Sequence, residues 1–439
     1  MTRLLYNLLW PLGLIFFLPG YLLKMIRRGG YRANFGQRLG FYSPELRQTL
    51  RTLRPTWIHA VSVGEVAIAL KLAAALRPHQ PGLEAILTVT TTTGYAFACN
   101  GAPPWLRVLY APLDFWPVMH HAWNTIKPRR VILVEAEVWP NLMAEARRRA
   151  VPVILANARL SPRSETRFRR FHALTSPLFR KLTLVCVADV EEKQRWLRLG
   201  VAEAKIAAVG NIKYDTEETF GSSQETAPMG SRSPAIPQAS FTEAIRHHED
   251  SQRRVLLGGS THPGEEKILA EVFRQLRPAF PDLLLVLAPR HVERVSQIEA
   301  DLRDLRAVRR SAFQSLREID CLLIDTTGEL RDWYRIATVV FIGKSLTSHG
   351  GQNPAEAILA GKPILFGPHM ENFASLSKGL LAAGGARCVQ SVAELVEEVQ
   401  RLLANQTLRE HMAQSGLSVL APHRGATART AEAIELLGR

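Results

Sequence analysis

The sequence of 439 residues contains little cysteine, and its cysteines are not arranged as a site. Cys99, Cys186, Cys321 and Cys388 are far apart and form no Cys-x-x-Cys pair. A disulfide scaffold and a cysteine-based zinc site are therefore excluded, and the composition is typical of a reducing compartment. The sequence also lacks a repeat period and any Asp-x-Asp pair. It thus offers no repeat architecture and no paired aspartates for a metal ion.

Acidic residues are in the minority. The chain has 55 Lys and Arg against 40 Asp and Glu, which gives a net charge of +15. Its length favours two or three domains, and 46% hydrophobic residues exclude global disorder. The basic excess favours an anionic partner, either nucleic acid or an anionic lipid surface. An ordinary solvated basic surface is the alternative interpretation.

The stretch Leu4–Leu23 has no charged residue. A helix of that length spans about 30 Å, the thickness of a bilayer core. Basic residues follow it and no small-residue cleavage site does, so residues 1–28 are predicted to be a membrane anchor with the rest of the chain in the cytoplasm. Pro11 and Pro19 weaken the helix. A helix lying in the membrane interface and a buried core helix are therefore the alternatives.

The segment 159–181 has seven basic residues and one acidic residue. Ser161 is a helix N-cap candidate, and the helix that follows would have Arg163, Arg167 and Arg170 on one face. No nucleic-acid-binding motif accompanies the segment. Because a membrane segment is predicted at the N-terminus, we expect it to contact membrane headgroups or an acidic lipid substrate, and we expect no nucleic-acid partner.

After the anchor, short apolar runs alternate with helical segments, which predicts parallel βαβ units whose strands are buried on both faces. Residues 216–250 interrupt this alternation, and their Gly-, Ser- and Pro-rich composition is typical of a linker. The sequence thus predicts an α/β protein with two Rossmann-like domains, residues 29–215 and 251–439. The carboxyl ends of their strands are predicted to face a cleft where ligands bind.

Polar residues follow several of the predicted strands. In the first half, Glu65 is either a first-turn acid favoured by the helix dipole or a general base. Either Glu135 or Glu137 is expected to face the cleft. Lys213 is either a surface lysine or a group that neutralises a leaving phosphate without a metal.

In the second half, the loop 343–353 leads into a predicted helix, and its glycines allow the backbone to approach a ligand. Asn353 is an N-cap candidate, with Pro354 at the first helical position. Arg290 is either an exposed arginine or a phosphate clamp. Four histidines of this half could be considered as metal ligands: His262, His291, His349 and His369. Their spacings match no zinc pattern, so no metal site is predicted.

Seven segments occur in an order that matches one known family: Trp57–Glu65, Glu135–Asn141, Gly210–Asp215, Ser260–Glu266, Pro289–Glu293, Asp325–Leu330 and Gly350–Glu356. Together they resemble the 3-deoxy-D-manno-octulosonic acid (Kdo) transferases. These are inverting glycosyltransferases of lipopolysaccharide assembly with the GT-B fold. Thr327 and Gln352 depart from the family's usual Met and His.

The resemblance implies Glu65 as the general base, with Glu135 and Lys213 stabilising the transition state. It implies that the CMP moiety is bound by Pro289, Arg290, Thr327, Gly328, Glu329, Asn353, Pro354, Ala355 and Glu356. The donor would be CMP-Kdo, the acceptor a lipid A precursor, and the location the cytoplasmic side of the bacterial inner membrane, with no cofactor. The lack of an Asp-x-Asp pair, together with the expected cationic phosphate site, argues against an obligatory metal.

Three other functions are compatible with the sequence. One is a GT-B transferase with a different lipid-linked acceptor, such as an undecaprenyl-linked sugar. Another is a sugar-nucleotide epimerase, which would not need the apolar segment Leu4–Leu23. The third is a non-catalytic basic membrane protein, which would have no reason to hold Glu65, Lys213 and Arg290 at strand ends.

Overall fold

A computed structural model describes residues 3–4, 6–10, 13, 20, 34–160, 162–215, 253–312 and 319–437. The predicted linker 216–250 and most of the predicted anchor lie outside these residues. The contacts divide the chain into two units, Met1–Arg232 together with His423–Arg439, and Ser233–Pro422.

The first unit contains a parallel sheet. Its strands are β1 Thr56–Ala60, β2 Ala85–Val89, β3 Leu106–Tyr110, β4 Arg130–Val134, β5 Val153–Ala158, β6 Leu184–Val187 and β7 Ile206–Ala208. They lie in the order β3-β2-β1-β4-β5-β6-β7, and every neighbouring pair is parallel. The central strands are buried along their whole length, as their continuous apolar runs predict.

Helices connect these strands on both faces of the sheet. They are α1 Phe35–Arg38, α2 Pro44–Leu53, α3 Val63–Leu76, α4 Thr92–Gly101, α5 Trp116–Ile126, α6 Pro140–Arg148, α7 Pro162–Arg170, α8 His172–Phe179 and α9 Val190–Arg198. A single 3₁₀ turn, Ile212–Tyr214, follows β7. Two hydrophobic clusters, built around Trp57 and Ile58 on opposite sides of β1, form the core.

The second unit repeats this architecture. Its strands are β8 Val255–Thr261, β9 Leu284–Pro289, β10 Ala307–Arg309, β11 Cys321–Leu323, β12 Val339–Ile342, β13 Ile364–Phe366 and β14 Ala386–Cys388. They form a parallel sheet in the order β10-β11-β9-β8-β12-β13-β14. The helices are α10 Glu265–Leu276, α11 Val295–Asp301, α12 Leu330–Ile336, α13 Ala355–Leu359, α14 Ala374–Ala383, α15 Val392–Ala404 and α16 Gln406–Leu420.

The last helix, α17 Ala426–Leu436, belongs to the first unit. Ala431 and Ile434 pack in the core cluster that contains Ile58. The buried carboxylate of Asp215 accepts hydrogen bonds from the backbone N–H groups of Gly425 (2.8 Å) and Thr427 (2.7 Å). The domain boundaries predicted from the sequence placed residues 251–439 in one domain. These contacts instead place the C-terminal helix with the first sheet.

The described N-terminal residues dock on the first unit through polar groups. Arg3 Nε donates to Asn141 Oδ1 at 3.0 Å, and the side-chain amides of Asn7 and Asn141 exchange two hydrogen bonds. Leu4 and Leu8 point away and are 78% and 70% exposed. Within the described ranges, no helix is long and apolar enough to cross a membrane.

The predicted class, α/β with two Rossmann-like domains, is confirmed. The anchoring helix and the arrangement of the two domains about a cleft stay predictions.

Candidate active site

Glu65 lies in the first turn of α3, directly after β1, and is buried. Its Oε1 accepts a hydrogen bond from the Ser62 hydroxyl at 2.8 Å, and its Oε2 accepts one from the Val61 N–H at 2.9 Å. Ser62 is the N-cap of α3 and accepts the Glu65 N–H. The carboxylate is thus part of a helix cap. Each of its oxygens accepts one hydrogen bond in this network and keeps a second lone pair for a further donor.

Glu135 follows β4, the strand beside β1. Its backbone has a φ of +62°, a left-handed conformation that costs a non-glycine residue about 1–3 kcal/mol. Burial raises the pKa of the Glu135 carboxyl, and the negative charge of Glu65 raises it further, whereas Arg159 and Lys213 lower it. Strain and a raised pKa at one position are typical of a functional site.

Glu137, two residues further on, has its pKa raised to about 7, first by burial and then by Glu65. Its Oε2 accepts a hydrogen bond from Trp139 Nε1 at 3.0 Å, which lowers the pKa in part. Three carboxyl groups that influence one another therefore lie at the carboxyl ends of β1 and β4. The sequence predicted that one of Glu135 and Glu137 faces the site. The charge of Glu65 raises the pKa of both carboxyls, so both lie within electrostatic reach of Glu65.

Lys213 lies in the 3₁₀ turn after β7, on an exposed position. Partial loss of hydration lowers the pKa of its ammonium group, and the charge of Glu135 acts in the opposite direction. Asn157 holds this turn, because its Oδ1 accepts the Ile212 N–H at 2.9 Å. Asn157 has a φ of +52° within β5, where the pairing with β6 shifts register. The strand irregularity thus positions the lysine.

Arg159 was not predicted to be a site residue, because in the sequence it is only the first residue of a basic segment. It follows β5 directly, and β5 pairs with β4, the strand that precedes Glu135. Its charge lowers the pKa of both Glu135 and Lys213. The signal that could have found it is its place after a strand, which it shares with Glu65 and Glu135.

The first unit thus combines a carboxylate with free lone pairs, two carboxyls of raised pKa and two cations at one edge of the sheet. A carboxylate within reach of a hydroxyl can remove its proton. Fixed cations can stabilise negative charge that develops on a leaving group. The arrangement is suited to displacement at a carbon atom by an activated hydroxyl group.

In the second unit, the remaining predicted residues follow strands of one parallel sheet. Pro289 ends β9 and is buried, and Arg290 beyond it is exposed, with its N–H donating to Thr261 O at 3.0 Å. Thr327 and Gly328 follow β11 and are exposed. The loop 343–353 follows β12. Strands β11 and β9 are neighbours, β8 separates β9 from β12, and all four are parallel, so the residues lie along the same edge of the second sheet.

The carboxylate of Glu329 contacts other side chains of the protein. Its Oε2 lies 3.2 Å from Nε of the buried Arg310 and 3.4 Å from Trp333 Nε1. The resemblance assigned Glu329 to the CMP site together with Thr327 and Gly328. In the structure the glutamate fixes the turn that presents these two exposed residues, and it is the N-cap residue of α12.

The helix at the end of the loop is shorter than the sequence predicted. Pro354 is its N-cap instead of its first residue, and α13 covers only Ala355–Leu359. Asn353 Oδ1 accepts the Ala355 N–H at 3.2 Å, so this donor is already used. Pro354 and Ala355 are buried, whereas Glu356 is exposed. A ligand at this turn therefore finds the side chains of Asn353 and Glu356 more readily than a free helix N-terminus.

Glu265 organises the loop after β12 and was not singled out from the sequence. It is fully buried, and each of its oxygens accepts two backbone N–H groups: Oε2 from His262 and Lys344 at 2.8 Å each, and Oε1 from Ser345 at 3.0 Å and Leu346 at 3.1 Å. One carboxylate thus joins the loop after β8 to the loop after β12. No pattern of side-chain chemistry marks such a residue, because its partners are main-chain groups.

Comparisons with known proteins find a matching family and related proteins. Residues 33–216 match the family described as 3-deoxy-D-manno-octulosonic-acid transferase (kdotransferase). The chain is 31% identical over 412 residues to the 3-deoxy-D-manno-octulosonic acid transferase of Haemophilus influenzae, covering 93% of this chain and 92% of that protein. It is 32% identical over 393 residues to that of Bordetella pertussis, covering 87% of each.

Among solved structures, the UDP-GlcNAc 2-epimerase from Neisseria meningitidis bound to UDP-GlcNAc is similar with a TM-score of 0.57. The similarity covers 88% of this chain and 100% of that one, at 13% sequence identity. At this identity the likeness concerns the fold, which both proteins share, and not the reaction.

Proposed function

The chain belongs to the 3-deoxy-D-manno-octulosonic acid (Kdo) transferase family and is a glycosyltransferase, and we propose that it transfers Kdo from CMP-Kdo to a lipid A precursor with inversion of the anomeric carbon. The observation that carries the proposal is the charge cluster of the first unit. Glu65 and Glu135 follow adjacent strands, and the pKa of Glu135 responds to Glu65 and to Lys213.

The reaction makes one bond and breaks one bond at the anomeric carbon. The acceptor hydroxyl oxygen attacks this carbon, and its proton passes to a carboxylate oxygen of Glu65. The bond from the carbon to the phosphate oxygen breaks, and CMP leaves with the electron pair. Attack from the face opposite the leaving group inverts the configuration.

Lys213 and Glu135 act on the charge that this step creates. The anomeric carbon gains positive character, which the carboxylate of Glu135 stabilises when it is ionised. Lys213 provides a positive charge in the same cluster, and Asn157 holds the turn that carries it. General-base catalysis, the role proposed for Glu65, contributes about 10²–10⁴-fold to a rate.

The second unit is proposed to bind the CMP moiety of the donor. Arg290 is exposed directly after β9, where its guanidinium can contact the phosphate. Thr327 and Gly328 are exposed on the turn that Glu329 fixes, and Glu356 is exposed beside Asn353, where its carboxylate can accept hydrogen bonds from ribose hydroxyls.

Contact with the cytoplasmic face of the bacterial inner membrane is also proposed. Leu4, Leu8 and Leu9 are 78%, 70% and 51% exposed on a segment whose polar side chains are turned to the protein. Arg167 and Arg170 are exposed on α7 of the same unit. Exposed leucines and exposed cations on one unit favour an anionic lipid surface, where each cation contributes about 1 kcal/mol.

One incubation tests the reaction. The full chain is mixed with CMP-Kdo and a tetraacylated lipid A precursor in anionic vesicles, and the lipid product is analysed by mass spectrometry and NMR. A mass increase of one or more Kdo units, with the inverted anomeric configuration, supports the proposal. Two controls distinguish the alternatives: donor alone, in which an epimerase forms an epimer, and an undecaprenyl-linked sugar as acceptor. If the folded protein forms no Kdo-bearing lipid A precursor, the proposal is contradicted.

A further inference from the structure

Three side chains of the second unit that are separated in sequence meet beside the glycine loop. His349 Nδ1 lies 3.1 Å from Glu371 Oε1, and His369 Nδ1 lies 3.4 Å from the same oxygen. The two imidazole rings are 4.0 Å apart between centroids. One ligand atom from each of the three residues can be chosen so that all lie within 4.8 Å of one another.

The backbone holds this group together from both sides. The Gly350 N–H donates to Glu371 Oε2 at 2.6 Å, which leaves Oε1 for other partners. The Asn372 N–H donates to Gly350 O at 3.0 Å. Gly350 has a φ of +116°, and a Cβ there would lie 2.6 Å from the Asn372 side chain. The close approach of loop and turn therefore requires glycine at this position.

The distances fit the coordination of a metal ion. Nitrogen and oxygen ligands lie about 2.0–2.2 Å from Zn²⁺, and in a tetrahedral site two such ligands are then about 3.3 Å apart. The two nitrogen-to-oxygen distances of 3.1 and 3.4 Å lie on either side of this value. Two imidazoles and one carboxylate also form a ligand set that suits zinc, and other transition ions, better than magnesium or calcium.

We propose that His349, His369 and Glu371 bind a divalent transition-metal ion, with Zn²⁺ as the representative ion. The side chains are open to solvent, at 78%, 32% and 54% exposure, so an ion can enter and water can complete its coordination. The site ties the loop 343–353 to the turn after β13. Binding of the ion does not depend on the reaction proposed above.

The spacing of these residues gave no indication of the site. His349 and His369 are twenty positions apart and match no zinc pattern, which is why the sequence predicted no metal. Strand β13 and its neighbour β12 are parallel, so the loops that follow them lie at the same sheet edge. The fold therefore brings together ligands that the sequence separates.

Binding is tested on the full chain without a polyhistidine tag, after EDTA treatment and dialysis. Zn²⁺ is titrated by calorimetry, and Co²⁺ is titrated with its visible absorption as a second readout. We expect one equivalent to bind, an upward shift of the melting temperature, and the stronger absorption of Co²⁺ in a low-coordinate nitrogen and oxygen site. Mg²⁺ should not compete.

Zinc binding should weaken by more than about tenfold in each of the variants His349→Ala, His369→Ala and Glu371→Gln. Even the loss of a residue that only hydrogen-bonds to a metal ligand has an effect of this size. His411→Ala, an exposed histidine on α16, is the matched control and should bind like the wild type. Circular dichroism establishes that each variant is folded. Absence of one-equivalent binding in the wild type, or binding that all three variants retain, would overturn the proposal.

Discussion

The Ser62 hydroxyl donates to Glu65 Oε1 at 2.8 Å, while the Glu65 N–H donates back to Ser62 Oγ at 3.4 Å. The proposed general base is thus fixed by the cap of its own helix. Its carboxylate needs no rearrangement before a substrate arrives, and the hydrogen bonds that orient it are local. Glu65 therefore takes part both in the cap of α3 and in the proposed proton transfer.

Glu65→Gln should lower kcat by about 10²–10⁴-fold and leave CMP affinity nearly unchanged. Glutamine retains an oxygen acceptor and can take part in helix capping, but it cannot take a proton. Turnover with CMP-Kdo and CMP binding by calorimetry are measured on the same preparation. A folded variant with a near-wild-type rate would exclude Glu65 as the base.

A matched control for this variant exists in the second unit. Glu394 caps α15 in the same way: its N–H donates to Ser391 Oγ at 3.2 Å, and its Oε2 accepts the Gln390 N–H at 2.7 Å. Glu394→Gln should change stability by a similar small amount and leave kcat unchanged. Equal losses of activity in the two variants would mean that capping, and not proton transfer, is the role of Glu65.

Lys213→Met should lower kcat by about 10²–10³-fold, the usual effect of removing one group that stabilises transition-state charge. Asn157→Ala should give a smaller loss in the same direction, since it loosens the turn without removing the cation. Lys205→Met, at a lysine that donates to Arg180 O at 2.9 Å, is the control. A Lys213 variant that raises only the acceptor KM would instead indicate a role in binding.

Glu137 should make the first unit less stable as pH rises. Its pKa is raised from 4.5 to about 7, so the folded state binds the proton more tightly than the unfolded state. The stabilisation is complete below pH 4.5 and is lost as pH rises through about 7.

Glu137→Gln removes this pH dependence while keeping an acceptor for Trp139. The difference in unfolding free energy between wild type and variant should change by about 1–2 kcal/mol between pH 4 and pH 8, an amount that allows for the partial exposure of the side chain. Denaturant unfolding at several pH values measures it, with the exposed Glu432→Gln as control. A difference that is flat with pH would show that Glu137 titrates normally.

Glu265→Gln should destabilise the second unit by about 3 kcal/mol. An amide has one oxygen, so two of the four backbone N–H donors lose their acceptor and face an NH₂ group. Calorimetry measures the shift in melting temperature. Glu271→Gln, on the exposed side of the same helix, should have little effect. Similar melting temperatures for both variants would contradict the anchoring role of Glu265.

Asp215→Ala should destabilise the first unit by about 1–2 kcal/mol, the usual cost of removing a helix-capping carboxylate. The N–H groups of Gly425 and Thr427 lose their acceptor, and α17 loosens from the sheet. Hydrogen exchange of α17 amides is the direct measurement. Unchanged protection of these amides in the variant would mean that core packing alone holds the helix.

The sequence predicted the elements whose residues are large and apolar. The run Val339–Ile342 and the periodic segment Val392–Ala404 coincide with β12 and α15. Helix α4 was not predicted, because its buried residues are Gly94 and Ala98, which carry little hydrophobic signal. The edge strand β14 is three residues long and contains an exposed arginine, so it also lacks the pattern of a buried strand.

For the candidate site, the position of polar residues after strands led to Glu65, Glu135 and Lys213, because parallel strands bring their carboxyl ends to one edge. Asn157 and Glu265 could not be found in this way. Their partners are backbone N–H groups of distant loops, and such contacts leave no pattern in the side chains. The C-terminal helix was likewise assigned by sequence order, whereas the packing of Ala431 and Ile434 decides its place.

The return of α17 to the first sheet has a consequence for the order of events during synthesis. Asp215 and its partner Thr427 are 212 positions apart, and the whole second unit is translated between them. A nascent chain that has just emerged beyond residue 215 therefore exposes the apolar groove that Ala431 and Ile434 will fill. The second unit can complete its own sheet first, although it comes later in the sequence. The ribosome thus presents an incomplete first unit to chaperones for the time needed to add these residues, and a fragment cut near residue 215 would keep this groove open permanently.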